Sequence, residues 1–397
     1  MHVAIALRTL KYEVFTLTKF RRKRMQGKMK NQSRNIGLDI LRVMSIFFII
    51  LGHMRSESFI RNLSPSDGRL DYIFENIVGN APRLSINCFM MISAWFLIGR
   101  SFSGKRFVSS WLMVFLLNVS VTMAAVVLGV APINSVYVFQ AFLPIVGRPQ
   151  WYMCEYLLLL LTAPFLNEVI NNINRRQLKT IIEIGVVFIV LIETILIIPT
   201  DYTTPLFSEY SWFVFLYFLI AYIKKYDDSF LNRLTRLQWG VIAVLCYCVI
   251  SAFALAAGDS DNLLVKCIAT HYAEDYAALP GLACSLGLFQ LMKNKSQGQD
   301  ARHRLLSVVA RNTGYIYIIH SVPVLWRFDD FKIWNNIFHI RYWYNNGVLI
   351  PAMLVTTIIV MAIGSAVGEV CSWCVIPYIR KMHIMVIIEK RLESLYR

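Results

Sequence analysis

Arg42 and His53 lie eleven residues apart inside the apolar stretch 38–54. A charged or titratable side chain in a bilayer-spanning helix costs roughly 2.5–3.5 kcal/mol on the insertion scale, so such residues are kept for a task or for a partner. At about 100° per residue, eleven residues return to nearly the same helix face, displaced by about 16 Å along the axis. One face therefore carries a fixed cation at one depth and an imidazole at another. The imidazole suits proton abstraction from a hydroxyl, because an ordinary pKa of about 6.5 leaves it largely neutral near neutral pH. The guanidinium suits a phosphate or other polyanion, which its planar fork can grip in two places.

Two more titratable side chains sit in apolar stretches: Glu155, one turn into 151–170, and His320, in the second half of 307–326. A carboxylate within reach of His53 would hold its tautomer and stabilise the imidazolium, which makes Glu155 a candidate orienter. For either histidine the structural alternative is a ring satisfied by a neighbouring carbonyl. Arg42 has a structural alternative as well, since Asp39 lies three residues earlier on the same helix and can pair with it. Arg100, Lys105 and Arg106 cluster just after the next apolar stretch. Together with Arg42 they could seat the phosphorylated head of a cytoplasmic cofactor with a long, thin arm whose reactive end rises towards His53.

Positioning these groups takes a membrane scaffold. The chain has 397 residues, 57% of them hydrophobic and 16% charged, with positive mean hydropathy, a mixture that a soluble core of this size does not need. Ten stretches approach the length that spans a bilayer: 38–54, 84–99, 107–130, 151–170, 181–198, 206–223, 239–257, 276–292, 307–326 and 348–370. The expected fold is all-α, a polytopic helical protein of about ten spans with both termini cytoplasmic. With that orientation the inside segments hold 29 of the 40 Lys and Arg residues and the outside loops 9, the bias that short cytoplasmic loops show. Arg42 then lies near the cytoplasmic surface, and His53, Glu155 and His320 lie near the opposite one.

The net charge of +16 does not point to nucleic acid, because the basic residues are spread over loop ends and not gathered on one folded face. Eight cysteines, most of them in expected spans, form no disulfide framework or metal set and read as small hydrophobes. Residues 1–36 are expected to be a basic, partly amphipathic cytoplasmic segment, with Arg21, Arg22, Lys23 and Arg24 as a lipid-facing anchor. Residues 37–379 form one membrane domain, and 380–397 a basic cytoplasmic tail. The loop 327–347 carries Trp334, Phe338, Tyr342, Trp343 and Tyr344, an interfacial belt or a platform for stacking sugars.

At several places the chain resembles the acyltransferase 3 family of integral membrane acyltransferases. The matching elements are Leu38-Asp39-Ile40-Leu41-Arg42 running into Gly52-His53, the run from Met91 to Ile98, Trp151-Tyr152-Met153, and the run from Gly314 to His320. The resemblance implies ten spans, acetyl-CoA or another acyl-CoA as cytoplasmic donor, and O-acylation of a surface glycan or lipid-linked sugar. It also implies that Arg42 and His53 are essential. The chain departs from the family pattern in having Ser93-Ala94 where Ser-Gly is usual, and in the wide spacing of Arg100 and Arg106.

The expected activity is O-acyl transfer, acetyl first, at the cell inner membrane. His53, Glu155 and His320 are the catalytic candidates, and Arg42, Asp39, Arg100 and Arg106 the donor-binding ones. No permanent cofactor is expected. Direct transfer and a covalent acyl-histidine relay both fit. A transporter or flippase for a lipid-linked glycan is the competing class, since buried His, Glu and Arg also build proton relays.

Overall fold

A computed structural model describes residues 35–56, 60, 63, 68–129, 131, 134–196, 208–293, 304–325 and 332–396. The basic segment with Arg21 to Arg24 lies outside the described residues. Among the described residues every regular element is helical.

The chain opens with α1, Ile36–Ser56. Asn35 caps it, its Oδ1 accepting from the Leu38 N–H at 3.1 Å, and Asp39 in the first turn complements the helix dipole. A short α2, Arg69–Val78, leads to α3, Ala81–Leu97. Next come α4, Gly104–Val127, α5, Ser135–Phe142, and α6, Trp151–Asn172. Then α7, Arg175–Gly185, passes through a π-helical turn, Val186–Leu191, into Ile192–Ile195. The central region continues with α8, Glu209–Lys225, α9, Arg236–Asp259, α10, Leu263–Glu274, and α11, Leu279–Met292. The last third holds α12, Arg304–Arg311, α13, Thr313–His320, α14, Leu349–Val370 running on to Arg380, and α15, His383–Ser394.

Among the described residues five helices are long and apolar enough to cross a membrane: Ile36–Ser56, Gly104–Val127, Trp151–Asn172, Arg236–Asp259 and Leu349–Arg380. The other expected stretches are helical but shorter or interrupted. α3 and α8 have 17 residues each and α11 has 14. The stretch 307–326, expected as one helix, is broken. Asn312 sits between α12 and α13 with its Nδ2 donating to the Val308 carbonyl and to Glu369. Pro323, which cannot continue an α-helix, then opens a short 3₁₀ turn.

α1 and α3 pack on each other at the centre, α3 also against α8 and α11, and α1 against α12, α13 and α14. Several buried polar groups between these helices pair with one another, as an interior without water favours. The Trp212 Nε1–H donates to Asn87 Oδ1 at 2.8 Å, and Asn87 Nδ2 donates to the Tyr276 carbonyl at 2.8 Å. The outer helices carry their apolar side chains outward: Val244 and Leu245 on α9 and Ile358 and Ile363 on α14 are exposed, a surface suited to lipid tails. The chain is a helical membrane protein.

Two glycines set the spacing of the centre. A Cβ on Gly52 would run into the Pro82 ring, so the end of α1 crosses the start of α3 with the Gly52 backbone against that ring. A Cβ on Gly364 would lie 2.7 Å from the Ile316 Cα, so α14 presses on α13 in the same way. These two approaches bring α1 and α13 to the place where both histidines sit.

Candidate active site

Arg42, Ile49 and His53 follow one another at intervals of seven and four residues, which keeps them on one helix face. All three line a single cavity of about 490 Å³, within the usual size of ligand sites. α3 contributes Phe89 and Ser93 to its wall, α6 contributes Tyr152, and α13 contributes Tyr317.

At one end, Arg42 Nη1 is 3.6 Å from Asp39 Oδ1, and its guanidinium lies over the Phe96 ring, 5.0 Å from the centroid. The Arg42–Asp39 pair anticipated from their spacing is thus present, and Arg42 still lines the cavity. Arg106 and Arg42 are both within electrostatic reach of Tyr156, one turn past Tyr152 on the cavity wall.

At the other end, His53 is close to two rings of α13. Its centroid is 5.0 Å from that of His320 and 6.0 Å from that of Tyr317. His320 is buried, and its Nδ1 lies 2.6 Å from the Ile316 carbonyl. A carbonyl only accepts, so Nδ1 carries the proton and Nε2 keeps its lone pair. That Nε2 is buried and makes no hydrogen bond among the described residues. His320 is therefore a tautomer-locked acceptor beside the His53 ring. Its height is fixed by Ser321, whose carbonyl accepts from Gln150 Nε2, while Gln150 and Asn118 exchange amide bonds at 2.9 Å each way. This side-chain pair joins α4, α13 and the start of α6.

Glu155 stands elsewhere. Its Oε1 accepts from Arg148 Nη2 at 2.8 Å, Arg148 also reaches Glu209 Oε2 at 3.6 Å, and Glu155 is not among the residues lining the cavity. The structure thus brings His53 and His320 together and gives Glu155 to a loop arginine. The physical reason is that Arg148 adopts positive φ, 44°, just before α6, which turns it back onto the helix that follows.

Arg100 and Arg106 frame a separate recess of about 10 Å³, room for roughly one water. Burial and the neighbouring Arg106 charge lower the affinity of Arg100 for its proton, a like-charge pair that an anion would relieve. Arg100 is placed by Asn167 of α6, whose Nδ2 donates to the Leu97 and Arg100 carbonyls at 3.1 and 2.9 Å. Anything larger than a water held by these two arginines lies on the surface outside the recess.

Sequence reasoning passed over Tyr317, Tyr152 and Arg311. All three line the cavity, and Arg311 is tied to Glu369 through Nε at 2.8 Å. The tyrosines had a readable signal, being polar aromatics one position from Trp151 and three from His320.

The arrangement can hold an extended molecule with an anionic end at Arg42 and a reacting centre at His53. A family model described as an acyltransferase domain matches residues 35–366. No curated protein and no solved structure matches the chain.

Proposed function

The chain belongs to the acyltransferase 3 family and is a membrane acyltransferase, and we propose that it moves an acyl group, acetyl first, from cytoplasmic acyl-CoA to a hydroxyl of a cell-surface polysaccharide or its lipid-linked precursor. The observation that carries this reading is the one cavity lined by both Arg42 and His53. In the proposed topology about ten spans cross the cell inner membrane and both termini are cytoplasmic.

The donor rests its phosphates on Arg42, with Arg100 and Arg106 at the surface, and its thioester lies at His53. His53 removes the proton of the acceptor hydroxyl as the oxygen attacks the acyl carbonyl. The new C–O bond forms, the C–S bond breaks, and the proton held by His53 passes to the departing thiolate. His320 takes the orienting role that a carboxylate would fill, because its Nε2 can accept from a His53 N–H and so leave the other His53 nitrogen basic. Glu155 acts through Arg148 as a brace for the start of α6. Asp39 keeps Arg42 in place. Acyl-histidine relay and direct transfer use the same residues.

Mass spectrometry of surface glycan from cells carrying native protein or His53→Ala tests the reading. The variant is expected to accumulate in the membrane and to lose acyl transfer by roughly 10²- to 10⁴-fold, the range for a general base. Native acyl content in cells with His53→Ala alone would remove His53 as the base. Loss of the whole polymer in cells lacking the gene would favour transport.

A further inference from the structure

A second cavity of about 440 Å³ opens on the other side of the α1–α3 crossing. His53 and Pro82 line the first cavity, whereas Arg55 and Asn80, two residues away from each, line the second. Two residues on a helix turn through about 200°, so neighbouring positions face opposite ways and the same crossing separates the two spaces. The far walls are α2, α9 and α10.

The charges around this space compensate one another. Arg55 pairs with Glu75, which is 4% exposed, and Arg55 Nη1 lies 3.7 Å from Glu274 Oε1. Arg83 Nη2 lies 3.9 Å from Glu274 Oε2. Tyr72 donates to Asp259 at 2.7 Å, and burial with that carboxylate raises its pKa, so it remains a neutral phenol. Lys266 also lines the space, so three cations, Arg55, Arg83 and Lys266, stand against three carboxylates, Glu75, Glu274 and Asp259, and the site carries no net formal charge.

It does present hydrogen-bonding groups that nothing uses. Asn76 and Asn80 are 6% and 2% exposed, and each spends its amide N–H on a backbone carbonyl one turn back, Tyr72 and Asn76, at 3.0 and 2.7 Å. Their Oδ1 atoms accept no hydrogen bond among the described residues. Both residues line the cavity, so these oxygens are available to a donor on a ligand. Ala254 and Ala257 of α9 supply a small apolar floor to the same space, and Thr270 adds a hydroxyl from α10. Amide acceptors, a hydroxyl and small apolar surface in one charge-balanced space suit a ring that has hydroxyls on its rim and C–H bonds on its face.

We propose that this second cavity is a subsite for a neutral sugar residue of the acceptor, on the far side of the α1–α3 crossing from the residue whose hydroxyl is acylated. The identification as an acceptor subsite rests on the glycan reading above; the cavity's preference for a neutral polyhydroxyl ring does not.

Saturation-transfer NMR on the full-length protein in lipid nanodiscs, without acyl-CoA, tests it. The probes are the methyl glycosides of glucose, galactose, mannose, rhamnose and N-acetylglucosamine, with glucuronate and glucosamine as charged counterparts. At least one neutral glycoside is expected to receive saturation, and the signal should fall severalfold in both Asn80→Ala, which removes an acceptor, and Ala257→Leu, which fills the floor. Two variants on different helices guard against the misfolding of either one. Silence from every neutral probe, a response confined to the charged sugars, or a signal unchanged in both variants overturns the subsite. Normal glycan acylation with no neutral-sugar binding leaves the acyltransfer reading standing and removes the subsite. Binding that behaves as expected in a protein that acylates no glycan does the reverse.

Discussion

The imidazoles of His53 and His320 face each other with centroids 5.0 Å apart and planes tilted by 50°, although 267 residues of chain separate them. The His320 proton is committed to the Ile316 carbonyl. The ring next to His53 is therefore an acceptor by construction, and in the proposed mechanism His53 is the base and His320 the group that orients it.

His320→Ala is expected to lower kcat by roughly 10- to 100-fold, the range seen when the outer partner that orients a metal-bound histidine is removed. KM for acyl-CoA should stay near native and the pH–rate profile should move, because the tautomer of His53 is no longer set. His320→Gln, which keeps an acceptor at a similar reach, should recover part of the rate. A loss that tracks only membrane protein level, with an unmoved pH profile, would make His320 a packing residue.

Arg42→Ala removes a charge-assisted contact to the donor, about 1.5–3 kcal/mol, which corresponds to roughly 10- to 150-fold in donor KM. Steady-state assays with purified protein read this directly, and the effect should exceed any change in KM for the acceptor. Arg42→Lys should recover only part of it, since an ammonium cannot reproduce the fork. Unaltered donor dependence in Arg42→Ala would take Arg42 out of donor binding.

Glu155→Ala should cost about 1 kcal/mol of stability or less, because Arg148 is half exposed and keeps Glu209 within 3.6 Å. Thermal denaturation in detergent measures the loss. Per folded molecule, the rate of transfer should remain near native. A collapse in kcat with an unchanged melting temperature would return Glu155 to the catalytic group.

Gly52→Ala should lower the melting temperature, because the added methyl meets Pro82 at the helix crossing and overpacking of this kind costs about 1–3 kcal/mol. Gly240→Ala on α9 is the contrast, since its nearest neighbour, Leu291, would be at an ordinary 3.8 Å. Replacing that helical glycine should be neutral or stabilising by about 0.5–1 kcal/mol. Equal melting temperatures for the two variants would refute the close crossing.

The face shared by Arg42 and His53 was legible because helical periodicity is a local property and the cost of burying charge marks the residues that matter. The pairing of Arg42 with Asp39 was legible for the same reason. The convergence of His53 with His320 could be read only as a common depth, and Glu155 shared that depth without sharing the site. What separated them was Arg148, a loop residue whose backbone turn leaves no signature in hydropathy. The break at Asn312 had weak signals in an asparagine and a later proline, but an apolar average over 307–326 hides both. Asn76 and Asn80 drew no notice, because an asparagine in an expected loop comes to line a cavity only when α9 and α10 pack beside it.

By itself the sequence determined an all-helical membrane protein, the shared face of Arg42 and His53 on its first long helix, and the family it resembles. Each of these follows from residue type and from spacing within about a dozen positions. Tertiary structure alone decided which titratable groups meet, that the cavity runs along the Arg42–His53 face, and that a second polar space lies behind the crossing. Those outcomes depend on how closely backbones approach, as at Gly52 against Pro82 and Gly364 against Ile316. Contact between helices is set by side-chain volume on both partners at once, and no single stretch of chain carries that information.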